Sequence, residues 1–269
     1  MKFIVIVVLL AVTVSTAMAD STRPAALQGV GIDQRLNDQV PLNLAFRDET
    51  GNAVKLGDYF DDKPVILALV YYECPMLCTL TLNGLVRAMR ALPFDVGRQY
   101  TVVTVSFNPR ETWSLAAAKK TGYIASYRRP GGAEGWHFLT GDEPSIVKLT
   151  EAVGFHYNYD PVSGQYAHAT GLMVLTPQGK ISRYFFGVEF SPRDLRLALD
   201  EASANRIGSL VDSVLLFCFH YDPATGKYGL LIIRVLQLAG AATVVVLGTF
   251  MTVMLWREKH GRLRKAEAR

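Results

Sequence analysis

The chain has 269 residues, half of them apolar, with three cysteines and a formal net charge of +4. This excludes a disordered chain, and three cysteines are too few for a small domain framed by disulfides. Residues 257–269 hold six Lys/Arg against two acids, which is the whole excess; residues 20–229 hold 20 basic and 22 acidic side chains, so the main body has no electrostatic match to a phosphate backbone and no nucleic-acid partner is expected.

Residues 1–19 read as a signal peptide. Lys2 is the positive start, Phe3 to Val12 is an apolar run too short to span a bilayer, and Ala17-Met18-Ala19 is a small-x-small cleavage site. An uncleaved N-terminal anchor is the alternative. Residues 20–40 form a polar lead-in segment. A turn over Asp48–Asn52 joins two short strands, Leu42–Phe46 and Ala53–Leu56. Pro64–Tyr72 is a continuous apolar run that reads as a strand buried on both faces.

A helix is expected from Pro75 to about Leu92, stopped by Pro93, and a second buried strand over Tyr100–Phe107. Helices follow from about Glu111 to Tyr127 and from Pro144 to Val153. Thr170–Leu175 and Ile181–Phe186 read as strands of a hairpin turned by Thr176-Pro177-Gln178-Gly179. Ser191-Pro192-Arg193-Asp194 is a helix start, with Ser as cap and Pro in the first helical position. This order predicts an α/β, thioredoxin-like fold over residues 41–203: two parallel strands, then an antiparallel pair, in a mixed central sheet with flanking helices.

Residues 204–229 form a juxtamembrane segment that contains Cys218 and His220. Cys218 reads as a buried small hydrophobe beside an amphipathic helix that packs on the body or the membrane surface, the alternative being an auxiliary metal site or a resolving thiol near the bilayer. Residues 230–256 read as a transmembrane helix: the 22 residues from Val235 to Trp256 carry no charge and would extend about 33 Å, enough for the hydrocarbon core. The basic tail, 257–269, predicts a cytoplasmic C-terminus. With the signal, this places the body in the periplasm, tethered to a bacterial inner membrane, with the helix in contact with lipid.

The chemistry lies in Cys74-Pro75-Met76-Leu77-Cys78, where the first buried strand meets the first helix. Pro75 at the first helical position would make Cys74 the cap, where backbone N–H groups and the helix dipole favour a thiolate. Two thiolates are soft ligands suited to Cu(I), Zn(II) or iron–sulfur chemistry, and one imidazole would complete a three-coordinate site. A structural disulfide or two buried thiols are the alternatives for the pair. Of the five histidines, His168 is expected in a loop facing the first helix, while His137 and His156 lie in aromatic surroundings and read as structural.

Val70–Cys78 and the later Tyr166-Ala167-His168-Ala169-Thr170…Leu175-Thr176-Pro177-Gln178-Gly179-Lys180 resemble the Sco/SenC family over about residues 40–203. The resemblance implies a thioredoxin-like, membrane-tethered protein that helps to build the copper centre of cytochrome c oxidase subunit II or serves another copper recipient. It makes Cys74, Cys78 and His168 the ligands of a copper ion, Cu(I) or Cu(II), and Cys74 and Cys78 a redox dithiol if the protein also reduces its partner. Two departures stand out: Ala167 occupies a position where the family often has Asp, a residue tied to redox or partner contacts, and the anchor is C-terminal. The alternatives are a thiol–disulfide oxidoreductase or thiol peroxidase without an obligatory metal, and a structural assembly factor.

Overall fold

A computed structural model of the chain describes residues 27–207, 221–222, 227–228, 237, 239–251 and 253–254. In chain order the elements of the first unit are β1 (Gly31–Ile32), β2 (Ala45–Arg47), β3 (Ala53–Lys55), β4 (Val65–Val70), α1 (Leu77–Ala91), β5 (Thr101–Ser106) and α2 (Trp113–Tyr127). There follow a single helical turn α3 (Gly132–Gly135), β6 (Trp136–Leu139), α4 (Glu143–Ala152), β7 (Phe155–Asp160), β8 (Gln165–His168), β9 (Gly171–Leu175), β10 (Ile181–Phe186) and α5 (Pro192–Ser203).

The central sheet has the order β10-β9-β4-β5-β6. β4 pairs with β5 in parallel, from Val65↔Thr101 to Val70↔Ser106, and β5 pairs with β6 in parallel. β9 runs antiparallel to both β4 and β10. Every residue of β4, β5 and β9 is buried, as the apolar runs of β4 and β9 and the valine-rich, β-branched β5 require of strands covered on both faces. α1 packs against α2 and α5, and α5 also packs on β9 and β10. This is the mixed thioredoxin-like α/β fold expected from the sequence.

The local signals act where they stand. The Asp48 carboxylate accepts the Thr50 and Asn52 amides, each at 2.9 Å, and folds the β2–β3 turn. Asp142 caps α4 through the Ser145 amide at 3.1 Å, and Ser191 caps α5 through the Asp194 amide at 3.4 Å. Leu92 leaves α1 in an extended conformation, as the residue before a proline must.

Three expectations are corrected. The sheet has three parallel strands rather than two: the third, β6, is Trp136-His137-Phe138-Leu139, too short for its alternation to register. α1 begins at Leu77 with Met76 as its cap residue, so Cys74 is not the cap. The reason is a tight turn in which the Cys74 amide donates to the Tyr71 carbonyl at 3.2 Å, which keeps residues 71–75 out of the helix. His168 sits at the end of β8, not in a loop. β8 pairs with β7, and β7 with β1, in a separate three-stranded antiparallel sheet. The alternation of β7 (Phe-His-Tyr-Asn-Tyr-Asp) is polar and aromatic rather than apolar, and so gave no strand signal.

In the second unit, β11 (Tyr221–Asp222) pairs antiparallel with β12 (Lys227–Tyr228), and residues 239–251 are helical. Among the described residues no helix is long and apolar enough to cross a membrane. Much of the 230–256 segment, residues 1–19 that read as a signal peptide, Cys218, His220 and the basic tail lie outside the described residues.

Candidate metal centre

β4 delivers the chain to the site. At its carboxyl end Val70 accepts the Phe107 amide at 2.8 Å, and the backbone then turns through residues 71–74. That turn and the start of α1 supply backbone donors to both sulfurs. The Tyr71 amide lies 3.3 Å from Cys78 Sγ, and the Cys78 amide lies 3.4 Å from Cys74 Sγ. The amide expected to favour a Cys74 thiolate is therefore present, although it comes from within the first turn of α1 and reaches back to a residue outside it.

His168 arrives from the other sheet. Its Nε2 is 3.5 Å from Cys78 Sγ, and its Nδ1 is 2.7 Å from the Ala169 carbonyl oxygen. A carbonyl can only accept, so Nδ1 carries the proton and Nε2 turns a lone pair toward the sulfurs. The ring is walled by Tyr71, Phe107 and Phe155, with centroids at 5.7, 5.2 and 6.2 Å. One donor atom from each of Cys74, Cys78 and His168 lies within 4.8 Å of the other two, and both cysteines are buried. The cluster expected from the sequence is assembled, with neither cysteine in a disulfide. His137 lies instead 3.8 Å from Glu49 and 4.4 Å from the Tyr59 ring, and His156 lies 3.0 Å from Asp33, both apart from the cluster.

The two thiols are driven apart in acidity. The hydrogen bond from Cys78, reinforced by the Cys78 and Met76 amides, overcomes burial and holds the Cys74 thiol down at about 3. Burial, then the neighbouring Cys74, pushes the Cys78 thiol far up. Cys74 is thus the ready thiolate, and the proton retained by Cys78 is what a cation must displace. Two sulfurs and one imidazole nitrogen at this spacing suit a soft, low-coordinate ion such as Cu(I); zinc would ask for a fourth ligand.

Glu111 is a residue that the sequence reading missed. It is buried, and its two carboxylate oxygens accept the Tyr72 amide at 2.7 Å, the Glu73 amide at 2.8 Å and the Ser106 hydroxyl. The available signal was an acid just past the carboxyl end of a fully buried strand, where sites of open α/β sheets gather; it was read only as a helix start. A cleft of about 530 Å³ opens next to Cys74, lined by Tyr71, Glu73, Pro75, Asn108, Arg110 and Tyr166 among others.

A family model described as SCO1/SenC matches residues 33–202. A solved protein from Aquifex aeolicus VF5, named as an electron transfer protein, is 23% identical with a TM-score of 0.57, covering 64% of this chain and 95% of its own. The SCO1/SenC family lipoprotein of Bacillus anthracis str. Ames is 16% identical with a TM-score of 0.52, covering 64% of this chain and 99% of its own. ScoI of Arabidopsis thaliana, solved with copper bound, is 16% identical with a TM-score of 0.48, covering 60% and 96%. The first two likenesses establish a shared fold. No curated protein matches the chain.

Proposed function

The chain belongs to the SCO1/SenC family, and from that premise we propose that it is a membrane-tethered copper chaperone. It holds one copper ion through Cys74, Cys78 and His168 and supplies it to the copper centre of cytochrome c oxidase subunit II or to another recipient. The observation that carries this reading is the convergence of two sulfurs and a bare imidazole nitrogen within 4.8 Å. Exposed Met76, Leu77 and Leu80 next to the cysteines give an apolar rim suited to transient docking of a recipient. The body is exported and the 230–256 segment anchors it to the bacterial inner membrane, the basic tail being cytoplasmic. Support for the anchor is the charge-free run and the exposure of Val244, Val245, Leu247, Phe250 and Met251 on the described helix.

The test is a Cu(I) titration of the reduced full chain in detergent, read by metal analysis and competition with a chromogenic chelator. One equivalent is expected for the wild type, and none at the site when both cysteines are serine. A wild type that binds no copper sinks the reading. A reporter fused at the C-terminus, active only in the cytoplasm, tests the topology.

A second reading, a thiol–disulfide oxidoreductase, is favoured by the opposed acidities of Cys74 and Cys78. Metal-independent turnover on a protein disulfide would select it. Absence of such turnover, with copper bound, would select the chaperone.

A further inference from the structure

The Cys74 segment and the His168 strand belong to different sheets, yet a single turn touches both. It follows β5 and runs from Ser106 to Glu111. On one side Glu111 receives the amides of Tyr72 and Glu73, the two residues before Cys74. On the other side the Asn108 side-chain oxygen accepts the Tyr166 hydroxyl at 3.3 Å, two residues before His168. The turn is itself braced: Asn108 Oδ1 also accepts the Arg110 amide at 3.1 Å, the Asn108 carbonyl accepts the Glu111 amide at 3.1 Å, and Ser106 Oγ accepts the Asn108 amide at 3.1 Å.

We propose that Glu111 is the positioning residue of the centre: its carboxylate clasps the Tyr72 and Glu73 amides and so holds Cys74 opposite Cys78 and His168 before any metal arrives. A buried carboxylate is retained only where its acceptor capacity is used. Here it is used on the backbone that leads into the first cysteine. A carboxylate accepts at both oxygens, so it can bond both amides; a carboxamide offers one acceptor and turns an NH₂ toward the other N–H. The Glu111 hydrogen bonds go to the loop and to Ser106 rather than to a donor atom; its charge also helps to raise the Cys78 thiol, an effect that Glu111→Asp keeps, and its hold on Cys74 is exerted through the loop, as outer-shell groups do when they orient ligands.

The inference deepens the copper reading and rests on it for its functional meaning, so the test has a metal-free arm. In the full chain in detergent, Glu111→Gln is expected to weaken Cu(I) binding by about tenfold to a hundredfold and to shift the thiolate-to-copper absorption of the Cu(II) form. In the metal-free protein it is expected to speed amide exchange at Tyr72 and Glu73 at least about tenfold. Ser106→Ala removes the hydroxyl that braces Glu111 but leaves both amide bonds; whatever it does to thermal stability, it is expected to stay within about threefold of the wild type in affinity and exchange, with an unshifted band. Wild-type affinity, band and exchange in Glu111→Gln would overturn the proposal, as would equal damage from Ser106→Ala. If Glu111→Gln does not fold, Glu111→Asp, which keeps the charge but is one methylene too short to reach both amides and Ser106, is read against the same thresholds. If the wild type binds no copper while the exchange arm responds, the chaperone reading falls and the clasp stands.

Discussion

The two halves of the donor set are held by different means. The cysteine half is local: both sulfurs take backbone amides from within eight residues of chain, at the end of a strand with all six residues buried. The histidine half is assembled from afar. His168 ends a hairpin whose outer partner is β1, more than 120 residues earlier, and its ring is placed by Phe107 just past β5 and Phe155 of β7, with Tyr71 on the cysteine side. Damage to distant packing should therefore loosen the imidazole before it disturbs the sulfurs.

The comparison can be broken or sharpened by substitution. The largest effect is expected from Cys74→Ser with Cys78→Ser, which should abolish the one-equivalent copper complex in a competition titration. His168→Ala should leave a two-sulfur complex with affinity lower by about a hundredfold, or ~2.8 kcal/mol. If it abolishes binding as completely as the cysteine pair does, the two halves are not separable.

Gly154→Ala attacks the histidine side through its frame. Gly154 has φ +66°, and an added Cβ would lie 2.1 Å from the Asp33 carbonyl oxygen. A loss of about 3 kcal/mol in denaturant unfolding is expected, together with weaker copper binding.

Glu49→Gln is the control that touches neither half. Glu49 is mostly buried between Lys120, His137 and the Phe138 amide. Burial alone would raise its carboxyl, but those partners outweigh it and hold the group at about 2, against 4.5 for a free glutamate. A carboxyl lowered on folding stabilises the fold fully above pH 4.5, and the stabilisation fades as pH falls toward 2. Glu49→Gln should therefore lower stability at pH 7 by about 2 kcal/mol, with the gap to the wild type closing across that acid window and copper affinity unchanged. Tyr166→Phe, which removes the hydroxyl's bonds to Asn108 and Arg110, should cost about threefold in affinity or less.

The same division governs what the sequence made legible. The buried strands, the cysteine pair at a strand–helix junction and the Ser191 cap could all be read because each is a short-range pattern of period, spacing or cap. The start of α1 was misplaced by two residues because proline fixes its own backbone angle without forcing a helix; the Tyr71–Cys74 turn decided the matter. His168 rested on the family resemblance, because its strand partner β7 has no apolar alternation and its second partner lies at the opposite end of the body. Glu111 was missed for a related reason. An acid in a polar turn looks solvated until the amides it serves, 38 and 39 residues away, are brought to it.

β1 contributes only two residues, Gly31 and Ile32, paired with His156 and Phe155, and the Asp33 amide donates to the Gly154 carbonyl just beyond. A protease that nicked the polypeptide after Ile32 would free this edge rung. The imidazole's platform would then rest on a bare two-stranded ribbon, while the sulfurs kept every backbone bond they have. Limited digestion would then produce a species with intact thiols and a loosened third arm, identifiable by mass and by softened metal retention.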